Sequence, residues 1–217
     1  MSTATTTSRI SRVDVSRRAG PAFFMAGGVT FIAGGALHPS DSGVGNKVVQ
    51  LHDMLIHRMW YPSHLLLLMA MACFAAGIVA LRRRPDLRPP LTKLVNVASV
   101  VACVAAVGML VHLFAALGAE SLANGEHSLF SRVQTVNETI VDASWGLAIA
   151  VLAVTGGWSR TVGNRFTIPL GLVGGLAFSL ASATIAFTDQ FDALFALGSL
   201  VGIWAVAVGA MGLRRTV

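Results

Sequence analysis

The chain has 217 residues, of which 54% are hydrophobic and only 12% charged, at a mean hydropathy of +0.70. Soluble domains carry about 25% charged residues, so half the polar surface a water-borne chain needs is missing and a lipid-facing surface is expected. The formal charge is +6, but the bases are scattered between apolar runs and form no nucleic-acid stripe, which excludes that class of partner.

Spanning the hydrocarbon core as helix takes about 20 apolar residues. In chain order, residues 1–19 form a polar, basic tail without apolar periodicity, and this is expected to be disordered. Arg17-Arg18 before an apolar run, with AGGA beyond it, faintly resembles an export signal; the length of the run argues for a retained helix instead. The first span is expected at about 20–37. Residues 47–60 form an amphipathic stretch on the outer surface, with Val48, Leu51, Leu55 and Met59 on one flank and Asp53 and His57 paired at i, i+4 on another. Further spans are expected at about 62–81, 91–118, 139–158, 166–187 and 193–213. The reading is an all-α integral membrane bundle of six helices in a single domain, residues 20–217. Lipid leaves backbone polar groups unsatisfied, and these runs lack the alternation of barrel strands. Gly27/Gly28, Gly34/Gly35, Gly171/Gly175 and Gly198/Gly202 suit close helix packing. Cys73 and Cys103 both fall in apolar runs and read as packing residues, not as a disulfide or a metal pair.

The bases set an orientation. Arg9, Arg12, Arg17 and Arg18 precede span one, and Arg82, Arg83, Arg84, Arg88 and Lys93 follow span two. Arg160 and Arg165 follow span four, and Arg214 and Arg215 follow span six. Only Lys47, Arg58 and Arg132 fall on the other side. The positive-inside rule then puts both termini in the cytoplasm.

With that topology, all six histidines (His38, His52, His57, His64, His112, His127) fall in outer loops or outer halves of spans. So do Asp41, Asp53, Glu120, Glu126, Glu138, Asp142, Asp189 and Asp192, leaving only Asp14 and Asp86 inside. At about 1.5 Å per helical residue, His64, His112 and Asp142 lie roughly 25, 31 and 24 Å above the inner ends of their spans. Three ionisable groups from three spans thus share one level just under the outer interface, where such groups are expected to face the bundle interior with partners. Glu138 and Asp142 are i, i+4 neighbours expected on one helix face, with Gln134 extending the stripe. His38, next to Pro39, reads as a helix end. His52 and His127 read as solvated, Asp189 and Asp192 as helix-terminal acids, and Trp60 and Tyr61 as headgroup-level aromatics.

The chemistry this permits falls into four classes. Imidazole and carboxylate on facing helices suit a transition metal (zinc, iron or copper), with His64, His112, Asp142, His57 and Asp53 as ligands; His64 and His112 could alternatively bridge a b-type haem. Met109, one turn before His112, would add a soft ligand for copper. Metal-free acid–base work by Asp142 or Glu138 on a lipophilic, isoprenoid-like molecule is the second class, with Trp60, Tyr61, Trp145 and Phe114 as lining. Proton-coupled solute transport is weakened by inner half-spans without ionisable groups. A non-catalytic accessory subunit, in a homo-oligomer or bound to another membrane protein, is the fourth. No HExxH occurs, and the five-residue step from His52 to His57 puts those rings on different helix faces.

The stretch GGALHPSDSG, leading through the amphipathic segment to WYPSHLLLL, resembles uncharacterised small polytopic membrane proteins of actinobacteria. The resemblance covers mainly residues 27–81. It implies a helical membrane bundle in a bacterial inner membrane, and no activity.

Overall fold

Residues 6–40, 45–84, 87–126 and 128–215 are described by a computed structural model, with side chains from Arg18 onward. Asp41, Asp86 and His127, and the side chain of Asp14, lie outside the described residues. Among the described residues every regular element is helical. α1 (Thr6–Ala36) is followed by the short α2 (Lys47–Leu55), then α3 (Trp60–Arg82) and α4 (Pro89–Leu113). A 3-10 turn (Ala115–Gly118) leads into α5 (Ala119–Ala123) and α6 (Leu129–Val136). The helix then widens into a π-helical turn (Asn137–Asp142) and continues as α7 (Ala143–Trp158). α8 (Ile168–Thr184), α9 (Leu194–Gly198) and α10 (Leu200–Arg214) complete the chain.

The boundaries follow from local chemistry. Asn46 caps α2 by accepting from the amides of Val48 and Val49, and Ser128 caps α6 by accepting from Ser131, satisfying amides that have no partner in a first helical turn. Pro89 and Pro90 open α4, where a missing N–H costs nothing.

Among the described residues, five helical stretches are long and apolar enough to cross a membrane: Arg18–Ala36, Trp60–Arg82, Pro89–Leu113, Leu129–Trp158 and Leu194–Arg214. The fifth expected span, 166–187, is shorter than anticipated. Pro169 and the turn from Ile185 confine α8 to 17 residues, roughly 25 Å of rise. The last span is two helices, α9 and α10, meeting at Ser199. The third ends its α-helix at Leu113 rather than running to 118. Helical backbone also begins at Thr6, ahead of the apolar part of α1.

α1 packs against α3 and α10, α3 against α4, α4 against α7, α7 against α8, and α8 against α10. That order closes a ring of six helices. Its centre is aromatic: Phe31 of α1 meets Phe74 of α3, Trp145 of α7 and Phe178 of α8, at centroid separations of 6.1, 5.7 and 5.7 Å. Phe24 continues the contact from Phe74 to Trp204 of α10. The outer surface is apolar too, with Val97, Val100 and Val107 of α4 each at least 60% exposed, a face that water would disfavour.

Two close crossings need glycine. On α7 and α8, a Cβ at Gly146 would stand 2.8 Å from the Gly175 carbonyl oxygen, and one at Gly175 would stand 2.6 Å from that of Gly146. Gly28 of α1 lies equally close to the Gly202 carbonyl of α10. The expected pairing of small residues with packing thus holds for Gly27, Gly28, Gly34, Gly171, Gly175, Gly198 and Gly202, whereas nothing approaches Gly35.

The loops separate into two ends. At one, Arg84 donates to the Thr161 carbonyl at 3.3 Å and Arg215 to the Arg160 carbonyl at 2.9 Å. At the other lie α2, α5 and the short apolar cluster of Leu55, Trp60, Ala115, Ala119 and Leu122. There Lys47 of α2 pairs with Asp189 and, at 3.5 Å, with Asp192, so these two acids bind a lysine rather than serving only as helix-terminal charges.

Candidate functional site

Four elements converge beneath the α2 end. α3 supplies Trp60, Ser63 and His64 from its first turn, and α4 supplies His112 from its last. The chain just after α1 supplies His38, and the π-helical turn supplies Glu138. His64 and His112 are both buried, and their Nε2 atoms are 3.1 Å apart. The two imidazoles are nearly parallel, at 18° and 4.8 Å between centroids. Trp60 roofs them, stacked 3.8 Å from His64 and 5.4 Å from His112. Its indole N–H donates to the Leu113 carbonyl at 3.2 Å, tying the start of α3 to the end of α4. Trp60 is therefore only 1% exposed and is no headgroup anchor, while Tyr61 beside it does face outward.

The proton positions follow from the partners. His64 Nδ1 lies 2.7 Å from the Trp60 carbonyl. A carbonyl only accepts, so this nitrogen carries the hydrogen and Nε2 is a bare lone pair. The hydrogen between the two rings then belongs to His112 Nε2. That leaves His112 Nδ1 as an acceptor, and it is buried without a partner. His38 repeats the pattern, with Nδ1 2.9 Å from the Pro39 carbonyl and its ring 4.8 Å from that of His64. Burial holds the His38 imidazole below its ordinary pKa. The sequence reading of His38 as a simple helix end misses this role; the only signal available was its shared outer position.

Glu138 places Oε1 3.7 Å from His112 Nε2 and accepts from Gln134 Nε2 at 3.2 Å. Asp142 does not join the imidazoles. The π-helical turn holds it five residues beyond Asn137, whose amide donates to Asp142 Oδ2 at 3.2 Å, while Oδ1 has no partner. Asn137 fits because α4 has a glycine opposite it: a Cβ at Gly108 would overlap Asn137 Oδ1. Gln134 with Glu138 and Asn137 with Asp142 thus form two polar pairs along this segment, Glu138 half-buried and the other three buried. The i+4 bond from Gln134 to Glu138 follows the expected extension, while the π-helical turn adds an i+5 bond from Asn137 to Asp142.

The expected ligands His57 and Asp53 stand apart from this centre. α2 ends at Leu55, so His57 leaves the helix, is exposed, and accepts from the Met59 amide at 3.1 Å. Asp53 lies 3.7 Å from His52. Met109 is buried in the apolar core. Trp145 belongs to the aromatic centre, and Phe114 points outward. Among the described residues, no three His, Cys, Asp or Glu side chains already stand in metal-holding geometry. The site as it stands is a hydrogen-bonded imidazole pair with one carboxylate beside it.

Comparison with family models, with curated proteins and with solved structures finds no match.

Proposed function

We propose that this chain is a six-span protein of a bacterial inner membrane with both termini cytoplasmic. On that reading His64, His112 and Glu138 bind one transition-metal ion (zinc, iron or copper) on the extracytoplasmic side, for hydrolytic or redox chemistry. The observation that carries the reading is the anchored tautomer of His64. A backbone carbonyl holding Nδ1–H is the usual outer partner of a metal-ligating imidazole, and it aims the bare Nε2 at His112 Nε2, 3.1 Å away. Two imidazoles on one tetrahedral ion, with bonds of about 2.0–2.1 Å, hold their nitrogens roughly 3.3 Å apart. The ion would replace the single proton between the rings, with His112 carrying its own proton on Nδ1 instead. Glu138, with Oε1 3.7 Å from His112 Nε2, would be the third residue to hold it.

The same distances argue against haem. Axial nitrogens on opposite faces of a macrocycle must be about 4 Å apart, twice a bond of roughly 2 Å. These rings are stacked on each other with no width for a macrocycle between them. The test is elemental analysis of protein purified without added metal. About one equivalent is expected in the wild type and in His57→Ala, and little in His64→Ala or His112→Ala; metal-free wild type would overturn the reading.

Asp142 supports a second reading, acid–base chemistry on an isoprenoid-like molecule. It is a buried carboxyl group with one oxygen unpartnered, one turn from the aromatic centre. Mass spectrometry of extracted protein would then find a lipophilic molecule retained by the wild type and lost in Asp142→Asn, with metal absent from both. Transport is disfavoured by the aromatic centre, and an accessory role predicts that His64 and His112 can be replaced without consequence.

A further inference from the structure

Among the described residues, two grooves flank α1 on the outside of the bundle, and of this pair only the α1–α3 groove has a cation in its lining. The groove between α1 and α10, of about 490 Å³, is lined by Ala22, Met25, Ala26, Val29, Thr30 and Leu213. The groove between α1 and α3, of about 350 Å³, is lined by Ala19, Phe23, Ala76, Val79, Ala80 and Arg83. Its floor is formed by the small side chains Ala76, Val79 and Ala80 of α3. Arg83 closes it at the end where the bases gather. Ala76 precedes Arg83 by seven residues, so the apolar channel runs roughly 10 Å inward from the guanidinium.

Three other arginines at this end are engaged elsewhere. Arg84 donates to the Thr161 carbonyl, Arg215 donates to the carbonyls of Arg160 and Gly163, and Arg165 stands over the Trp158 ring at 5.0 Å. Arg83 lies over an apolar channel that faces the surroundings of the bundle. A planar guanidinium suits a phosphate diester, and a channel of this length and width suits the first half of an acyl chain. A free phosphate would gain nothing from the channel, and a neutral lipid nothing from Arg83.

We propose that the α1–α3 groove is a binding site for one anionic phospholipid, its phosphate on Arg83 and one acyl chain between Phe23 and Ala76. The α1–α10 groove takes acyl chains without regard to headgroup. This rests on the bundle being embedded in a bilayer. A protein that can be extracted without detergent would fail that premise first, whatever the lipid comparison gave.

The experiment is reconstitution into nanodiscs of mixed phosphatidylglycerol and phosphatidylcholine, re-extraction in mild detergent, and mass spectrometry of the retained lipid. The wild type and Arg84→Gln are expected to retain phosphatidylglycerol about fivefold over its bulk share, the increment of one basic residue at a membrane surface. Arg83→Gln, an exposed change that leaves the fold intact, retains lipid without headgroup preference. Ala76→Leu with Ala80→Leu, which fills the channel, loses both. Enrichment that survives Arg83→Gln, that falls equally in Arg84→Gln, or that is competed away by millimolar inorganic phosphate would overturn the proposal.

Discussion

Trp60 joins the structural and chemical parts of the site: its ring covers both imidazoles and its N–H anchors the end of α4. Trp60→Phe keeps most of the stacked area but leaves the half-buried Leu113 carbonyl without its donor, which costs about 0.5–1.5 kcal/mol. We expect a lower thermal midpoint in detergent and retained metal, whereas Trp60→Ala loses both; elemental analysis beside the melt checks this. Lys47 yields a prediction about pH. Burial disfavours its charge, but the Asp189 and Asp192 carboxylates outweigh that and raise its pKa above the ordinary value. A raised value in the folded state means the pairing stabilises fully below the ordinary lysine pKa of about 10.4 and is lost as pH rises through the folded value. Lys47→Met should therefore cost the same at pH 6 and pH 9, and the difference from wild type should fade only in alkali. Its size should be at most about 1 kcal/mol, because Lys47 and Asp189 are well exposed. A variant whose deficit changes between pH 6 and pH 9 would contradict this. At this scale the meeting of His64 with His112 was legible, because helix rise alone sets both at one level. The burial of Trp60 and the approach of His38 were not, since both depend on how loops and helix ends turn.

The π-helical turn is the element on which the site depends. A wide turn adds a residue without breaking the helix, and such turns recur at functional sites. Here it sets Asn137 against Asp142 and leaves Glu138 beside His112. Deleting Thr139 would restore α-helical register and rotate everything before it by about 100°, one residue of a 3.6-residue turn. We expect such a protein to stay helical by circular dichroism and lose its metal. Retained metal would show that Glu138 and its register are dispensable. Packing of α7 on α8 offers an independent prediction. Gly175→Ala puts a methyl against the Gly146 carbonyl and should cost about 1–3 kcal/mol, the usual penalty for overfilling a packed contact, while Gly35→Ala should be neutral; unfolding in mixed detergent micelles reads both. Apolar length identified most of these helices from the sequence. It could not show that α8 stops at 17 residues or that α6, the wide turn and α7 form one 30-residue stretch. Hydropathy does not register where backbone hydrogen bonds change partner.

For the whole molecule, the segregation of bases from histidines survives as geometry: Arg84, Arg160 and Arg215 meet at one end of the ring and the imidazoles at the other. The orientation that follows can be tested by impermeant thiol labelling of intact cells. Asn124→Cys should react from outside and Ser159→Cys, exposed at the other end, only after permeabilisation, in a background with Cys73 and Cys103 replaced; the reverse pattern would invert the topology. Between the two ends stand Phe31, Phe74, Trp145 and Phe178, with Trp204 below. This aromatic plug has an electrical consequence. Charge moved through a whole bilayer couples to voltage at about 2.3 kcal/mol per 100 mV, and on the membrane-spanning reading proposed above most of that drop would fall across these packed rings. An ion or proton arriving at His64 and His112 from the near side crosses only a sliver of the field. Occupancy of the proposed metal site should then follow the pH and metal content of one compartment and stay indifferent to the membrane potential.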